Sequence, residues 1–321
     1  MTSQWHSVQL VSPRFRARAA HASVYVASTQ SMYVFGGDDL NVFLNDFMQY
    51  DFGANQWTKV TELFDWPAAR RHHAMAVIGN SVYMFGGELR GGRHSNELWM
   101  YNVITGVWRE LASSSRIKPL PVASHTLTSV NDEYLYLYGG RTSSSEILAT
   151  MYRINVTTTT TNEDDDLQWE EVLPAYGNSQ LRALAGHTTV FHDVSQSLYV
   201  FGGFHPDDGR SVRLRSDLHV FNVKDNVWTT LFVDNSYIRD SLPMGADISQ
   251  YFPPRARAYH TANIIGNYMV VFGGKTHRHG EVETCYDNGL YLYDLLCHVW
   301  VPVASVLSSG EQLRHSIVHV H

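Results

Sequence analysis

Five times in this sequence a short run of β-branched and aromatic residues ends in a pair of glycines. The pairs are Gly36 and Gly37, Gly86 and Gly87, Gly139 and Gly140, Gly202 and Gly203, and Gly273 and Gly274, so the first glycines stand 50, 53, 63 and 71 residues apart. No other feature constrains the fold as much, because a unit of this length buries its apolar face only against copies of itself. Upstream of each pair a histidine opens a second apolar run: His21, His72, His125, His187 and His260. Downstream stand Trp57, Trp108, Trp169, Trp228 and Trp300, each followed three positions later by Val or Leu. In four units an aromatic lies seven residues before that Trp, at Tyr50, Tyr101, Phe221 and Tyr293, whereas Tyr152 precedes Trp169 by 17.

Each unit therefore reads as four short strands. Strand a starts at the His, b ends at the diglycine, c carries the aromatic and d carries the Trp. Asp51, Asn102, Asn222 and Asp294 follow the aromatics, where their side chains favour tight c–d hairpins. No segment shows a helical period. Five such units imply an all-β chain folded as a β-propeller.

The diglycine, the Tyr/Phe-x6-Trp spacing and the preceding His together resemble the kelch repeat, over essentially the whole chain. The kelch pattern also has an Arg shortly before the His, matched by Arg18, Arg70 and Arg257, but the third unit reads Pro121 to His125 without one. Residues 5–8 resemble an isolated strand d and residues 315–320 an isolated strand a. The expectation is one kelch-type propeller domain over 1–321, a fragment with five complete four-stranded blades and a partial sixth. Blade 1 spans 13–62, blade 2 63–115, blade 3 116–175, blade 4 176–234 and blade 5 235–306; residues 1–12 and 307–321 supply strands d and a of blade 6.

The fifth unit is more specific. Its His260 run, Met269 through His277, and Cys285-x11-Cys297-x2-Trp300 resemble the attractin and multiple-EGF-like-domains receptor family, as does Arg213 to Leu218 in the fourth. The resemblance implies an extracellular, non-catalytic protein-interaction module of a large single-pass receptor, with CUB, EGF-like and PSI modules as neighbours. Such receptors are linked, through intracellular partners including a RING ubiquitin ligase, to lowering surface levels of signalling receptors. The alternative is an intracellular kelch adaptor that presents a protein to a ubiquitin ligase.

Composition narrows the remaining classes. Lys+Arg 24 against Asp+Glu 31 gives net charge −7, which argues against a general nucleic-acid or membrane-surface binder. The longest apolar runs are about five residues, far short of a bilayer span, so no direct membrane insertion is expected. Some kelch propellers are copper-radical oxidases, but those need a Tyr linked to Cys plus two His and another Tyr. Only Cys285 and Cys297 are present, and no nucleophile triad, Walker or HExxH pattern appears, so neither enzyme activity nor a cofactor is expected. His277 with His279, and His315 with His319 and His321, have short spacings without a carboxylate cluster, which leaves no expected metal site.

Cys285 and Cys297 are either a disulfide of an ectodomain or two thiols of a cytosolic protein; as a bridge they would have to join opposite ends of strand c. Asn155 opens the one N-x-S/T sequon, which leads into a Thr-rich then acidic insertion at 157–166; a glycan there requires secretion. In an up-and-down blade the b–c and d–a connections emerge on one face. They are also the long ones, at 88–96, 204–216 and 275–289, and at 112–122 and 232–254. That face collects Arg90, Arg93, Arg141, Arg210, Arg213, Arg215, Arg255, Lys275 and Arg278, a candidate Arg-rich surface for an acidic peptide or protein.

Overall fold

The computed structural model describes residues 15–63, 65–113, 115–157, 167–175, 182–207, 211–231, 253–279, 283–301 and 303. These form five four-stranded antiparallel blades, each with strands a to d in chain order. Blade 1 comprises Ala22–Val26, Ser31–Phe35, Phe47–Asp51 and Gln56–Lys59. Blade 2 comprises Ala74–Ile78, Ser81–Phe85, Leu98–Asn102 and Val107–Glu110. Blade 3 comprises Thr126–Val130, Tyr134–Tyr138, Met151–Asn155 and Trp169–Glu171. Blade 4 comprises Thr188–His192, Ser197–Phe201, Leu218–Asn222 and Val227–Leu231. Blade 5 comprises Thr261–Ile265, Tyr268–Phe272, Leu290–Asp294 and Val299–Val301. Three two-stranded ribbons add to them: Arg70–Arg71 with Glu88–Leu89, Phe204–Asp207 with Ser211–Leu214, and Lys275–His279 with Glu283–Tyr286. The strands expected at 1–12 and 307–321 lie outside the described residues. Among the described residues the architecture is five blades, and nothing in them supports a partial sixth.

The blades fall into two compact units. Blades 1 to 3 belong to the first, built on Ser7–Leu173 and Arg182–Ala185; blades 4 and 5 belong to the second, built on Pro174–Leu181 and Gly186–Val320. Within each blade the b strand is covered on both faces, so Ser31–Phe35, Ser81–Phe85 and Ser197–Phe201 are buried at every residue. Hence their sequences are continuous apolar runs rather than alternating ones. The d strands are edges, and in Gln56–Lys59 only Trp57 is buried. Asp51, Asn102, Asn222 and Asp294 each accept backbone N–H groups of the following turn on the side-chain oxygen, which closes the c–d hairpins.

In the first unit, Phe35 of blade 1 meets His73 and Trp108 of blade 2, with centroids 5.6 Å from each ring. Phe85 of blade 2 meets His125 at 5.5 Å and Trp169 at 5.4 Å in blade 3. In the second unit Phe201 of blade 4 meets His260 and Trp300 of blade 5, both at 5.3 Å. These edge-on contacts make the seams between blades aromatic. The backbones close up beside them. Gly37 donates its N–H to the Arg70 carbonyl at 2.9 Å, Gly87 to Val122 at 2.8 Å, and Gly203 to Arg257 at 2.8 Å. A Cβ on Gly86 would stand 2.7 Å from both the Val122 oxygen and the His125 ring, and the residue's φ is +67°. Only glycine meets both demands.

Two assignments within the repeat need correction. The histidine on the blade seam in unit 2 is His73; its neighbour His72 occupies the left-handed position (φ 54°) that Ala20, Ser124, Gly186 and Tyr259 hold in the other blades. In blade 3 the residue opposite the d-strand Trp is Ile154, paired with Trp169 as Tyr50 is with Trp57, Tyr101 with Trp108, Phe221 with Trp228 and Tyr293 with Trp300. Tyr152 instead faces Glu171. The left-handed residues are linked from blade to blade. His72 donates its N–H to the Ala20 carbonyl and Ser124 to the His72 carbonyl in the first unit, and Tyr259 donates to Gly186 in the second, all at 2.8 Å.

Candidate functional site

The loop face is organised by buried guanidiniums just ahead of strand a. Arg70 is fully buried. Its Nε donates to the Ala68 carbonyl at 3.0 Å, its Nη1 to the Gly86 carbonyl at 3.0 Å, and its Nη2 to Glu97 Oε2 at 2.7 Å. Arg18 repeats the pattern on Gly36 and Asp46, and Arg257 on Gly273 and Asp287. Each staple ties a diglycine to the carboxylate that closes the b–c loop. Burial works against ionisation of Glu97, yet Arg70 and the Trp99 indole hold its carboxyl below the ordinary range.

The exceptions obey the same logic. In blade 3 the Arg position is Val122, buried, and the residue before strand c is Thr150 rather than an acid. In the segment leading to blade 4 it is Leu184, also buried, which leaves Asp217 without that arginine. Arg215 supplies the charge from within the same loop, its Nε donating to Asp217 Oδ2 at 2.8 Å. Arg215 is thus engaged within its own loop.

In the first unit the residues after the diglycines are Asp38, Glu88 and Arg141. Arg71 bridges two of them: Nη1 donates to Asp38 Oδ2 at 3.1 Å, while Nε and Nη2 reach Glu88 at 3.2 and 3.0 Å. The guanidinium also lies 4.6 Å over the Phe43 ring. Beside it, burial and the Arg71 charge lower the His72 pKa to about 4, so this ring is neutral near neutral pH. Burial lowers the His94 pKa too, although that ring bonds to the Arg141 carbonyl. Arg71 is thus engaged by carboxylates of the floor itself.

What projects beyond that floor is different. Arg90 and Arg93 are exposed on a turn made by Gly91 and Gly92 (φ 84° and 76°), and neither has a carboxylate partner among the described residues. Arg141, directly after the third diglycine, is half-buried, its backbone bridged to Ala123 and Ile147. In the b–c loop of blade 1, Leu40 is 94% exposed at φ 77°. The loop holds it there: Asp38 Oδ1 accepts the Leu40 N–H at 3.2 Å, and Asp39 Oδ1 accepts those of Asn41 and Val42 at 3.1 and 2.9 Å. The Val42 N–H leads in lowering the Asp39 pKa, and Arg16 pairs with that carboxylate. Sequence reasoning missed Leu40. The signal was present in Asp38-Asp39-Leu40-Asn41, two turn-forming acids directly after a diglycine.

In the second unit Arg213 and Arg255 are exposed, and Lys275 is half-buried with Nζ 5.8 Å from the centre of the Phe204 ring. Arg210 lies outside the described residues, as does the side chain of Arg278. Cys297 is a free, exposed cysteine in the turn after strand c of blade 5, while the backbone of Cys285 lies in the ribbon strand Glu283–Tyr286 ahead of strand c. Strand Leu290–Asp294 lies between the two positions in the chain. At the sequon, Asn155 Nδ2 donates to Glu133 at 3.3 Å and Oδ1 accepts from the Thr157 N–H at 2.9 Å and hydroxyl at 2.7 Å. Among the described residues no group of three or more His, Cys, Asp or Glu is placed to hold a metal, and no helix is long and apolar enough to cross a membrane.

Residues 32–321 match the family described as the attractin/LZTR1 β-propeller. The chain belongs to that family. It is 38% identical over 310 residues to human multiple epidermal growth factor-like domains protein 8, covering 95% of this chain and 10% of that protein. It is 27% identical over 306 residues to the Drosophila melanogaster leucine-zipper-like transcriptional regulator 1 homolog, covering 93% of this chain and 28% of that protein. With the Caenorhabditis elegans host cell factor homolog hcf-1 the identity is 24% over 333 residues, 97% of this chain and 39% of the relative. The chain thus spans only a minor part of these three relatives. It is a kelch-type β-propeller similar to the first of them.

Proposed function

We propose that this propeller is a non-catalytic protein-interaction module that binds its partner on the face where the b–c and d–a connections emerge. Within the first unit, the carrying observation is the contrast on that face between Arg71, engaged by Asp38 and Glu88, and the projecting Arg90 and Arg93, without a carboxylate partner among the described residues, beside the held-out Leu40. Charge of one sign beside an exposed apolar tip suits a protein surface that is acidic around an apolar pocket. Arg90→Glu with Arg93→Glu is expected to leave the melting midpoint within about 2 °C, since exposed substitutions cost little, and to weaken partner binding about tenfold or more. Wild-type binding by this variant and by Leu40→Ser, across a salt series, would remove the face from the interface.

The parent protein we infer is an attractin-like receptor whose propeller is extracellular and regulates signalling receptors; the 38% identity supports this reading. An intracellular adaptor for a ubiquitin ligase is the second reading, favoured by the free Cys297 thiol. Asn155 separates them. Protein from its native source, deglycosylated enzymatically in heavy-oxygen water, is expected to yield isotope-labelled Asp at position 155 on peptide mapping. Unmodified Asn155 together with an alkylatable Cys297 in that material would exchange the first reading for the second.

A further inference from the structure

We infer that Tyr259, with Phe204 and Lys275, is a docking site on the second unit for a peptide segment carrying an aliphatic or proline residue next to an acidic one. This rests on the interaction reading above and gives it a second, separate contact point.

Every blade places one residue in the left-handed region just before the seam histidine: Ala20, His72, Ser124, Gly186 and Tyr259, all with φ between 54° and 65°. The backbone bonds at this position are made whatever the side chain, since Tyr259 donates to Gly186 at 2.8 Å as Ser124 does to His72. Small residues therefore suffice, and a bulky aromatic in this conformation adds strain without adding to the hydrogen-bond belt. Nor is the ring put there to fill the core, for Tyr259 is 44% exposed.

Its setting is a platform. The ring lies over Gly186, where an added Cβ would stand 3.1 Å from it. Phe204, the residue after the fourth diglycine, meets it edge-on at 5.4 Å. On Phe204 in turn sits the Lys275 ammonium, 5.8 Å from the ring centre, and Lys275 is tied to Ala258, Tyr259's neighbour, by paired backbone bonds of 2.9 and 2.8 Å. Among the described residues no carboxylate pairs with Lys275 or with the exposed Arg255 two positions before Arg257. An exposed aromatic face selects an apolar or proline side chain, and the adjoining Lys275 ammonium selects a carboxylate beside it.

The probe is a phage-displayed library of random dodecapeptides, panned on the intact protein, with affinities of the selected peptides then measured by calorimetry. Selection is expected to return peptides in which Pro, Leu or Ile adjoins Asp or Glu. Tyr259→Ser, the residue blade 3 uses, and Lys275→Glu should each weaken them by about tenfold or more. Tyr259→Gly should weaken them to the same extent, since it removes the same ring. Full binding by Tyr259→Ser, a selection without acidic residues, or an empty selection would each overturn the inference. Peptides lost by the Arg90→Glu, Arg93→Glu protein but kept by Tyr259→Ser would overturn this site while leaving the interaction reading intact.

Discussion

Replacing Arg70 by valine is expected to destabilise the protein by about 3–5 kcal/mol, read as a shift in the urea or thermal transition. The guanidinium is fully buried and satisfies the Gly86 carbonyl and the Glu97 carboxylate at once. Removing one partner of such a pair strands the other, and that stranded charge is where most of the cost lies. The rest of the chain supplies the control. In blade 3, Val122 occupies the arginine position and Thr150 stands where the acid would be, and the fold accommodates both. Arg70→Val combined with Glu97→Thr should therefore recover more than half of the loss, a strong coupling between two residues 27 apart in sequence. If Glu97→Thr instead added its own cost to that of Arg70→Val, the staple would not be the unit of stability it is taken to be here.

Acidification should have a comparable effect by an independent route. His73, His125 and His260 are buried on blade seams. Burial lowers the pKa of His125 to about 3 and that of His260 to about 3, and it places His73 well below its ordinary value. Their folded pKa values are thus depressed below the unfolded value of about 6.5. Between those limits the unfolded chain binds more protons, so stability is complete above pH 6.5 and falls as the pH is lowered toward 3. At pH 5 the His125 and His260 rings each forfeit about 2 kcal/mol and the buried His73 ring acts in the same direction, a total on the scale of a typical domain's entire stability. Cooperative unfolding is expected near pH 5, above the range in which carboxylates such as Glu97 and Asp287, held below their ordinary values, begin to protonate. Denaturant titrations at pH 7, 6 and 5 measure the slope, and His125→Asn should flatten it by about a third. A stability that stays level to pH 4.5 would contradict the neutral, buried state assigned to these rings.

Much of this architecture is legible in the primary structure because its parts repeat at short, fixed offsets. The diglycines mark where blade backbones approach, and Tyr50 with Trp57 or Tyr293 with Trp300 mark c–d pairs, since each partner lies within one hairpin. The failures came where two candidates competed or an insertion broke the count. His72 and His73 are adjacent, and only the seam contact with Phe35 distinguishes them. Ile154 was hidden because the insertion removed the seven-residue spacing and because its side chain is not aromatic.

The candidate face was less legible than the fold. A list of arginines in long loops does not reveal that Arg215 is engaged by Asp217, nor that Arg71, left off that list, clamps Asp38 and Glu88. It also omits Leu40 and Tyr259, whose significance lies in being exposed and left-handed at once. The sequence by itself determined the strand order, the five units and the positions of their seams, because those follow from local periodicity and turn chemistry. Only the tertiary structure decided which charges are consumed internally and which side chains stay exposed. The reason is physical: Arg18 finds Asp46, Arg71 finds Asp38 and Arg257 finds Asp287 across 28, 33 and 30 residues, and no local pattern encodes contacts made at that range.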